Sequence, residues 1–266
     1  PLPASKTPLP LAFQATARGP LTELLVNAEL QMTAPPAAGR AQPQASATAR
    51  VTPWAAQPLP QADARFRDLD LAALWPDAPQ TRLTGSASVR PVENSSPAWA
   101  MALQMANAVP GPWDQQRLPI DKLDTQGEWK NGTALIRSLK AELAGGELLA
   151  SGQWMQAPPA DKPLVAGSVS APDWQLDASL KRINPAQLHS RFAALPLNGR
   201  ASARSQGEAT GFEASVQTAV SAGKQAPAAR TASRQKNPLG QLGQLRLRDA
   251  NATGSWYPKQ GGGTLL

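Results

Sequence analysis

A single histidine limits the catalytic chemistry that this chain could carry out. His189 is the only histidine, so a Ser/His/Asp triad would have to be built around it, and a metal site with two histidine ligands is impossible. The sequence contains no cysteine, which removes disulfides, thiolate nucleophiles and cysteine-ligated zinc. These counts predict a chain without a metal site and without a cofactor.

Carboxylate pairs are the other residues with catalytic potential. Asp68 with Asp70, and Asp121 with Asp124, have the residue type that general acid–base catalysis uses. Aspartate is equally common in turns and at helix N-termini, because its side chain accepts hydrogen bonds from nearby backbone N–H groups. A glycine run at 261–263 lacks the lysine of a phosphate loop and predicts a hairpin turn instead.

An ungapped internal repeat organises the chain. Residues 64–90 recur as residues 178–204, with matches at spaced apolar positions and at Gly85 and Gly199. The alignment divides the chain into a β segment with a Pro/Ala-rich loop (1–63), a first repeat unit (64–177) and a second unit truncated at its C-terminal end (178–266). We expect the 266 residues to be an interior fragment of a longer repetitive protein.

The repeat argues against the catalytic candidates. His189 aligns with Trp75, which favours a packing or surface role for both. Asp70 aligns with Asn184, and both are good N-cap residues, so each repeat is predicted to contain one short helical turn. We therefore expect that the protein is not an enzyme.

The net charge of +7 raises the question of nucleic-acid binding. The positive charges are dispersed along the chain, and one Tyr and four Phe leave few rings for base stacking. We expect a solvated basic surface and no nucleic-acid partner.

Alternation of apolar and polar residues predicts the fold class. In residues 99–105 every odd position is large and apolar, and residues 139–154 alternate on both sides of Gly145 and Gly146, which is typical of a hairpin. The pattern predicts an all-β chain of antiparallel hairpins. Segments of low complexity are expected to be surface loops between strands: residues 34–49, 91–97, 157–163 and 221–238.

The alternation also predicts one apolar stripe, which is either an ordinary closed core or a lipid-binding groove. The candidate groove residues are Phe13, Val26, Leu30, Met32, Phe66, Leu83, Val89, Trp99, Met101, Leu103, Met105, Leu135, Leu139, Leu143, Leu148, Leu176, Leu180, Leu197, Phe212, Val216, Leu245 and Leu247.

Three stretches resemble the TamB family, the translocation and assembly module proteins of the AsmA-like group in Gram-negative bacteria. They are residues 139–154 (LKAELAGGELLASGQW), residues 184–188 (NPAQL) and residues 83–85 (LTG). The resemblance implies an elongated, curved β-sheet folded into a hydrophobic, taco-like groove.

The resemblance also implies a cellular role. The full-length protein would be anchored in the inner membrane, with a periplasmic body that spans the envelope. That body would carry phospholipid acyl chains between the two membranes, and it would assist outer-membrane protein and autotransporter assembly with an Omp85-type barrel partner. Membrane tethering and barrel docking are expected of regions outside this chain.

Two other classes of protein remain open at the level of sequence. A passive β-repeat stalk, such as an adhesin or autotransporter passenger, would have a closed core in place of the groove. A carbohydrate-binding or hydrolytic β-repeat protein is less favoured, because the chain has one Tyr and no carboxylate pair that recurs in both repeats.

Overall fold

One antiparallel sheet contains every strand of the molecule that the structure describes. The structure is a computed structural model and describes residues 11–32, 42–55, 57–75, 77–92, 98–156, 173–206, 209–219, 249–257 and 262–265. Its strands are β1 (Leu11–Arg18), β2 (Leu24–Met32), β3 (Gln44–Val51), β4 (Gln61–Leu69), β5 (Leu83–Pro91), β6 (Ala98–Asn107), β7 (Ile120–Lys130), β8 (Thr133–Leu143), β9 (Gly146–Met155), β10 (Asp173–Ile183), β11 (Leu197–Gln206), β12 (Ala209–Thr218), β13 (Asp249–Tyr257) and β14 (Gly262–Leu265).

The strands follow one another across the sheet in chain order, from β1 at one edge to β14 at the other. The sheet is therefore open, and each strand pairs with the strands that precede and follow it in the chain. The predicted all-β fold of antiparallel hairpins is confirmed. Every extensive contact between elements within the described residues joins neighbouring strands, so the sheet forms a single layer there.

Two details of the strand prediction were wrong. The segment expected to be a loop at 34–49 includes the first residues of β3, because Ala45, Ala47 and Ala49 alternate with polar residues and continue the sheet pattern. The glycines expected in a turn at 261–263 include Gly262 and Gly263, which pair with β13 as part of β14.

The repeat is visible as two matching β-bulges. The pairing of β4 with β5 shifts between Phe66 and Leu69, and that of β10 with β11 shifts between Leu180 and Ile183. At the aligned positions Asp68 and Arg182 have φ of 52° and 53°, the left-handed conformation that an inserted residue can adopt. A side chain from the next strand, Thr84 or Asn198, accepts a hydrogen bond from each of these residues' N–H groups.

Each bulge leads into the single helical turn that the sequence predicted. Helix α1 (Leu71–Leu74) begins after Asp70, and helix α2 (Pro185–Leu188) begins after Asn184. The Oδ1 atoms of these two N-cap residues accept hydrogen bonds from Ala72 and Ala186, at 3.2 Å in both cases. Both N-cap predictions are confirmed.

The connections at one end of the strands are tied together by hydrogen bonds. We call this end, where β4–β5, β6–β7, β8–β9 and β10–β11 connect, the loop end. Arg82 N–H donates to the Asn107 side chain, Ala144 N–H donates to the Pro119 carbonyl, and Asn184 N–H donates to the Ala144 carbonyl. The buried large apolar side chains, Leu83 and Ile183, also lie here, each 5% exposed. The packed core of the described chain is therefore small and lies at the loop end.

Candidate functional site

The strand register gathers the apolar side chains on one face of the sheet. Residues that pair directly across antiparallel strands point to the same face. In one such row Phe13 pairs with Leu30, Leu30 with Ala45, and Ala45 with Phe66. Equivalent pairs continue this surface, which we call the apolar face, as far as β13.

Most of the predicted groove residues lie on the apolar face. The register places these there: Phe13, Val26, Leu30, Phe66, Leu83, Val89, Trp99, Met101, Leu103, Met105, Leu139, Leu143, Leu148, Leu176, Leu180, Leu197, Phe212 and Val216. Met32 pairs with Leu11 at the end of β2. Leu245 and Leu247 lie outside the described residues.

Leu135 was predicted on the wrong face. The pairing of β8 with β9 shifts between Ile136 and Leu139, so one extra residue enters β8 and the alternation changes parity. Leu135 therefore pairs with Glu128 and Gln153 on the opposite, polar face. Ile136, which pairs with Gly127 and Gly152, takes its place on the apolar face.

The apolar face is partly open to solvent. Phe13 is 70% exposed at the sheet edge, and Met101 and Leu176 are each 40% exposed nearer the centre. No described element packs across this face. Side chains this large are ordinarily covered in a folded protein, so the face has the character of an interaction surface.

A row of small side chains crosses the middle of the apolar face. Alanines of successive strands pair with one another in this row, which contains Ala28, Ala47, Ala64, Ala87, Ala150, Ala178, Ala201, Ala214 and Ala252. Leu103 and Leu139 interrupt the row from either side of Thr125, with which both pair. They are its large members and project from the centre of the face.

Tryptophans form a further row that the sequence prediction largely missed. Trp99 pairs with Trp129, and Trp154 pairs with Trp174. The rings of Trp129 and Trp154 stack across β8 with centroids 5.8 Å apart. We call these four residues the Trp row, and the end of the sheet where they lie, opposite the loop end, the Trp end. The repeated Gly-x-Trp motif at 127–129 and 152–154 was the signal that could have identified Trp129 and Trp154.

The polar face carries charged side chains in mutual pairs. Lys140 lies 3.0 Å from Glu147, and Arg137 lies 2.7 Å from Glu128. Hydrogen bonds from these cations lower the pKa of Glu147 and of Glu128 below the ordinary glutamate value. Because the cations are exposed and the carboxylates partly so, the pairs contribute little to stability.

One depression of the polar face has a volume of about 830 Å³. Its lining includes Arg82, Lys122, Lys140, Glu142 and Lys181. The Lys122 ammonium lies 3.1 Å from Glu142, and both side chains are about half exposed. The depression therefore reflects the gaps between long charged side chains that pair with each other, and we place the candidate site on the apolar face instead.

His189 belongs to a contact between two connections at the loop end. Asp114 Oδ1 accepts a hydrogen bond from Ser190 N–H at 2.9 Å, and Ser190 Oγ also donates to Asp114. These hydrogen bonds lower the pKa of Asp114, with a smaller effect from His189. His189 Nδ1 accepts from Arg191 N–H and lies 3.8 Å from Asp114 Oδ1. The hydrogen bonds to the Asp114 carboxylate therefore come from Ser190 and not from His189. The cluster joins two loops and does not have the geometry of a triad, in which Asp orients His and His contacts Ser.

The carboxylate pairs do not form a common site. Asp68 is the bulge residue and Asp70 is the N-cap. Asp121 lies at a shift in the pairing of β7 with β8, and Asp124 accepts a hydrogen bond from Gln104 on the polar face. Within the described ranges, no group of three or more His, Cys, Asp or Glu residues could hold a metal ion. The described helices are also too short to cross a membrane.

Comparison of the chain with protein-family models, with curated proteins and with solved structures finds no match. The features available for a functional argument are therefore the open apolar face, its alanine row and its Trp row.

Proposed function

We propose that the apolar face binds phospholipid acyl chains, and that the chain is a non-enzymatic part of a lipid-carrying protein. The single observation that carries this proposal is an apolar face that continues from strand to strand across the open sheet without a second layer of described elements over it. An acyl chain would supply the missing apolar partner.

The energetics favour an apolar occupant. Each methylene group removed from water contributes about 0.8 kcal/mol, so contact with even part of an acyl chain offsets a large share of the cost of binding. Met101, Leu176 and Ile136 remain 37–40% exposed and would lose this exposure on contact. The face has no charged residue in the rows through Leu103 and Met105, so no ion has to be desolvated there.

The cellular role extends the same proposal. The resemblance of residues 139–154 to the TamB family supports a periplasmic location in a Gram-negative bacterium, with an inner-membrane anchor outside this chain. In this proposal the face is one segment of a path for phospholipids between the two membranes. Assistance to outer-membrane protein assembly with an Omp85-type partner would depend on regions outside the described sheet.

Native mass spectrometry with lipid extraction tests the proposal on the chain purified from a bacterial periplasm. The test variant is Leu103→Arg with Leu139→Arg, which places two guanidinium groups at the centre of the alanine row. The matched control is Gln104→Arg with Ser138→Arg, which adds the same charges to the same strands on the exposed polar face.

We expect phospholipid to copurify with the original chain and with the control, and to be lost from the test variant at unchanged circular dichroism. Absence of phospholipid from the original chain would refute the proposal. A stalk with a closed core would be supported by a different result: the test variant unfolds, the control stays folded, and neither the original chain nor the control carries lipid.

A further inference from the structure

We propose that lipids bind the apolar face in one orientation, with the headgroup and ester region at the Trp row and the acyl chains directed toward the loop end. This inference rests on the proposed function, and it adds which part of the lipid each part of the site contacts. It comes from a difference in chemistry between the two ends of the same strands.

The Trp row suits the boundary between hydrocarbon and water. An indole ring combines a large apolar surface with one N–H donor, which is why tryptophan is favoured where one end of a site is apolar and the other is wet. Trp99 has its ring on the apolar face, and its Nε1–H donates to the Leu59 carbonyl at 2.7 Å, so this indole offers apolar surface without an unpaired donor. Trp256, in the same row through Ser205 and Thr210, is 46% exposed.

The loop end has the opposite character. Asn107 is 6% exposed, and its side chain accepts from Arg82 and Val109 N–H and donates to the Leu118 carbonyl. Its polar atoms are therefore already engaged and do not offer a site for a headgroup. Leu83, which pairs with Asn107, is itself buried, so the half-buried Met105 and Leu180 provide the apolar surface for the far end of an acyl chain.

The distance between the two ends fits an acyl chain laid along a strand. Trp99, Met101, Leu103 and Met105 succeed one another on the apolar face of β6. At about 3.4 Å per residue, Trp99 and Met105 are separated by roughly 20 Å. One leaflet of a bilayer holds acyl chains within roughly 15 Å, so a chain starting at the Trp row can extend without leaving the apolar face.

A structural role for the Trp row is the competing explanation, since paired aromatic rings stabilise sheets without any ligand. The two explanations differ in what lies next to the indoles when lipid is bound. Bromine quenches tryptophan fluorescence on contact, and phospholipids can be brominated near the ester carbonyl or near the terminal methyl.

The experiment uses the triple variant Trp54→Phe, Trp75→Phe, Trp113→Phe, loaded with either brominated phosphatidylcholine. These three residues lie in connections and are 44–81% exposed, so their replacement leaves the apolar face intact. Native mass spectrometry first establishes equal loading with the two lipids. The remaining described tryptophans are the Trp row and Trp256, all at the Trp end.

We expect the ester-proximal bromine to quench at least about twofold more strongly than the methyl-proximal bromine, as for indoles at a membrane interface. Equal quenching, or stronger quenching by the methyl-proximal bromine, would overturn the orientation while leaving lipid binding intact. If neither lipid binds the variant or the original chain, the proposed function is overturned, and the orientation with it.

Discussion

The two ends of the sheet are stabilised in different ways. At the loop end, N-caps, bulges and hydrogen bonds between connections enclose Leu83 and Ile183. At the Trp end, the buried apolar residues of the described chain are the small Ala98 and Ala209, and large rings lie partly exposed. A single-layer sheet can therefore keep one end packed and rigid while the rest of its apolar face stays available to a partner.

Truncation of a leucine at each location should give the largest difference between the packed end and the open face. We expect Leu83→Ala to lower the free energy of unfolding by about 2–4 kcal/mol, because it leaves a cavity beside Leu69 and Asn107. Leu103→Ala removes the same atoms from a half-buried site and should cost about 1 kcal/mol. Urea unfolding followed by circular dichroism measures both, and equal costs would contradict the distinction.

The helix caps test whether the loop end is held by hydrogen bonds as well as by packing. Asp70 Oδ1 accepts from Ala72 N–H at 3.2 Å and from Thr81 N–H at 2.9 Å, whereas Asn184 Oδ1 accepts from Ala186. We expect Asp70→Ala to cost about 1–2 kcal/mol and Asn184→Ala to cost about 0.5–1 kcal/mol of unfolding free energy.

The same urea titrations provide the cap measurement, with Asn251→Ala on the exposed side of β13 as a control that should change stability by less than about 0.5 kcal/mol. A larger cost for Asn184→Ala than for Asp70→Ala would show that the second hydrogen bond of Asp70 is not effective.

The sequence predicted these caps and the strand pattern because both depend on local chemistry. Asp70 and Asn184 have side chains that accept from the next turn, and Pro185 fits the first helical position. Alternation was sufficient to place residues such as Met101 and Leu103 on one face, because consecutive side chains of a regular strand point in opposite directions.

Leu135 shows where local reasoning fails. One inserted residue in β8 moves the side chains of the preceding β8 residues to the opposite face of the sheet. Residues 135–139 contain no glycine or proline that would mark this bulge in the sequence. The Trp row was missed for a different reason, since Trp129 and Trp154 are brought together only by the pairing of both strands with β8. Whether a second layer covers the apolar face is also a property of the tertiary structure, which alternation does not encode.

The stacked rings of Trp129 and Trp154 test how the Trp end is stabilised. A double-mutant cycle with Trp129→Leu and Trp154→Leu should give a coupling of about 0.5–1.5 kcal/mol, measured by urea unfolding. Trp99 and Trp174 are separated by three intervening strands, so their leucine variants should be additive within about 0.5 kcal/mol. Coupling of the same size in this second pair would mean that the Trp row acts as one unit.

Two carboxylates at opposite ends of the sheet should respond to pH in opposite directions. Burial, and then the charge of Glu142, raises the pKa of Asp121 near the loop end, whereas a hydrogen bond from Arg90 lowers the pKa of Asp63 toward the Trp end. A raised pKa in the folded state means that ionised Asp121 opposes folding. This opposition is absent below the ordinary aspartate pKa of 3.8 and develops as the pH rises through and above it.

Asp121→Asn should therefore stabilise the chain at neutral pH, by less than about 1 kcal/mol because the carboxyl is largely solvated, and this gain should vanish in acid. Asp63→Asn should have the reverse dependence, because a carboxylate with a lowered pKa supports folding above its ordinary pKa and loses that support as the pH falls. Urea midpoints at neutral pH and near pH ~3 compare the two isosteric changes. If Asp121→Asn were destabilising at neutral pH, the ionised carboxyl would have to be held by partners at the β7 irregularity. The loop end would then stabilise charge as well as apolar side chains.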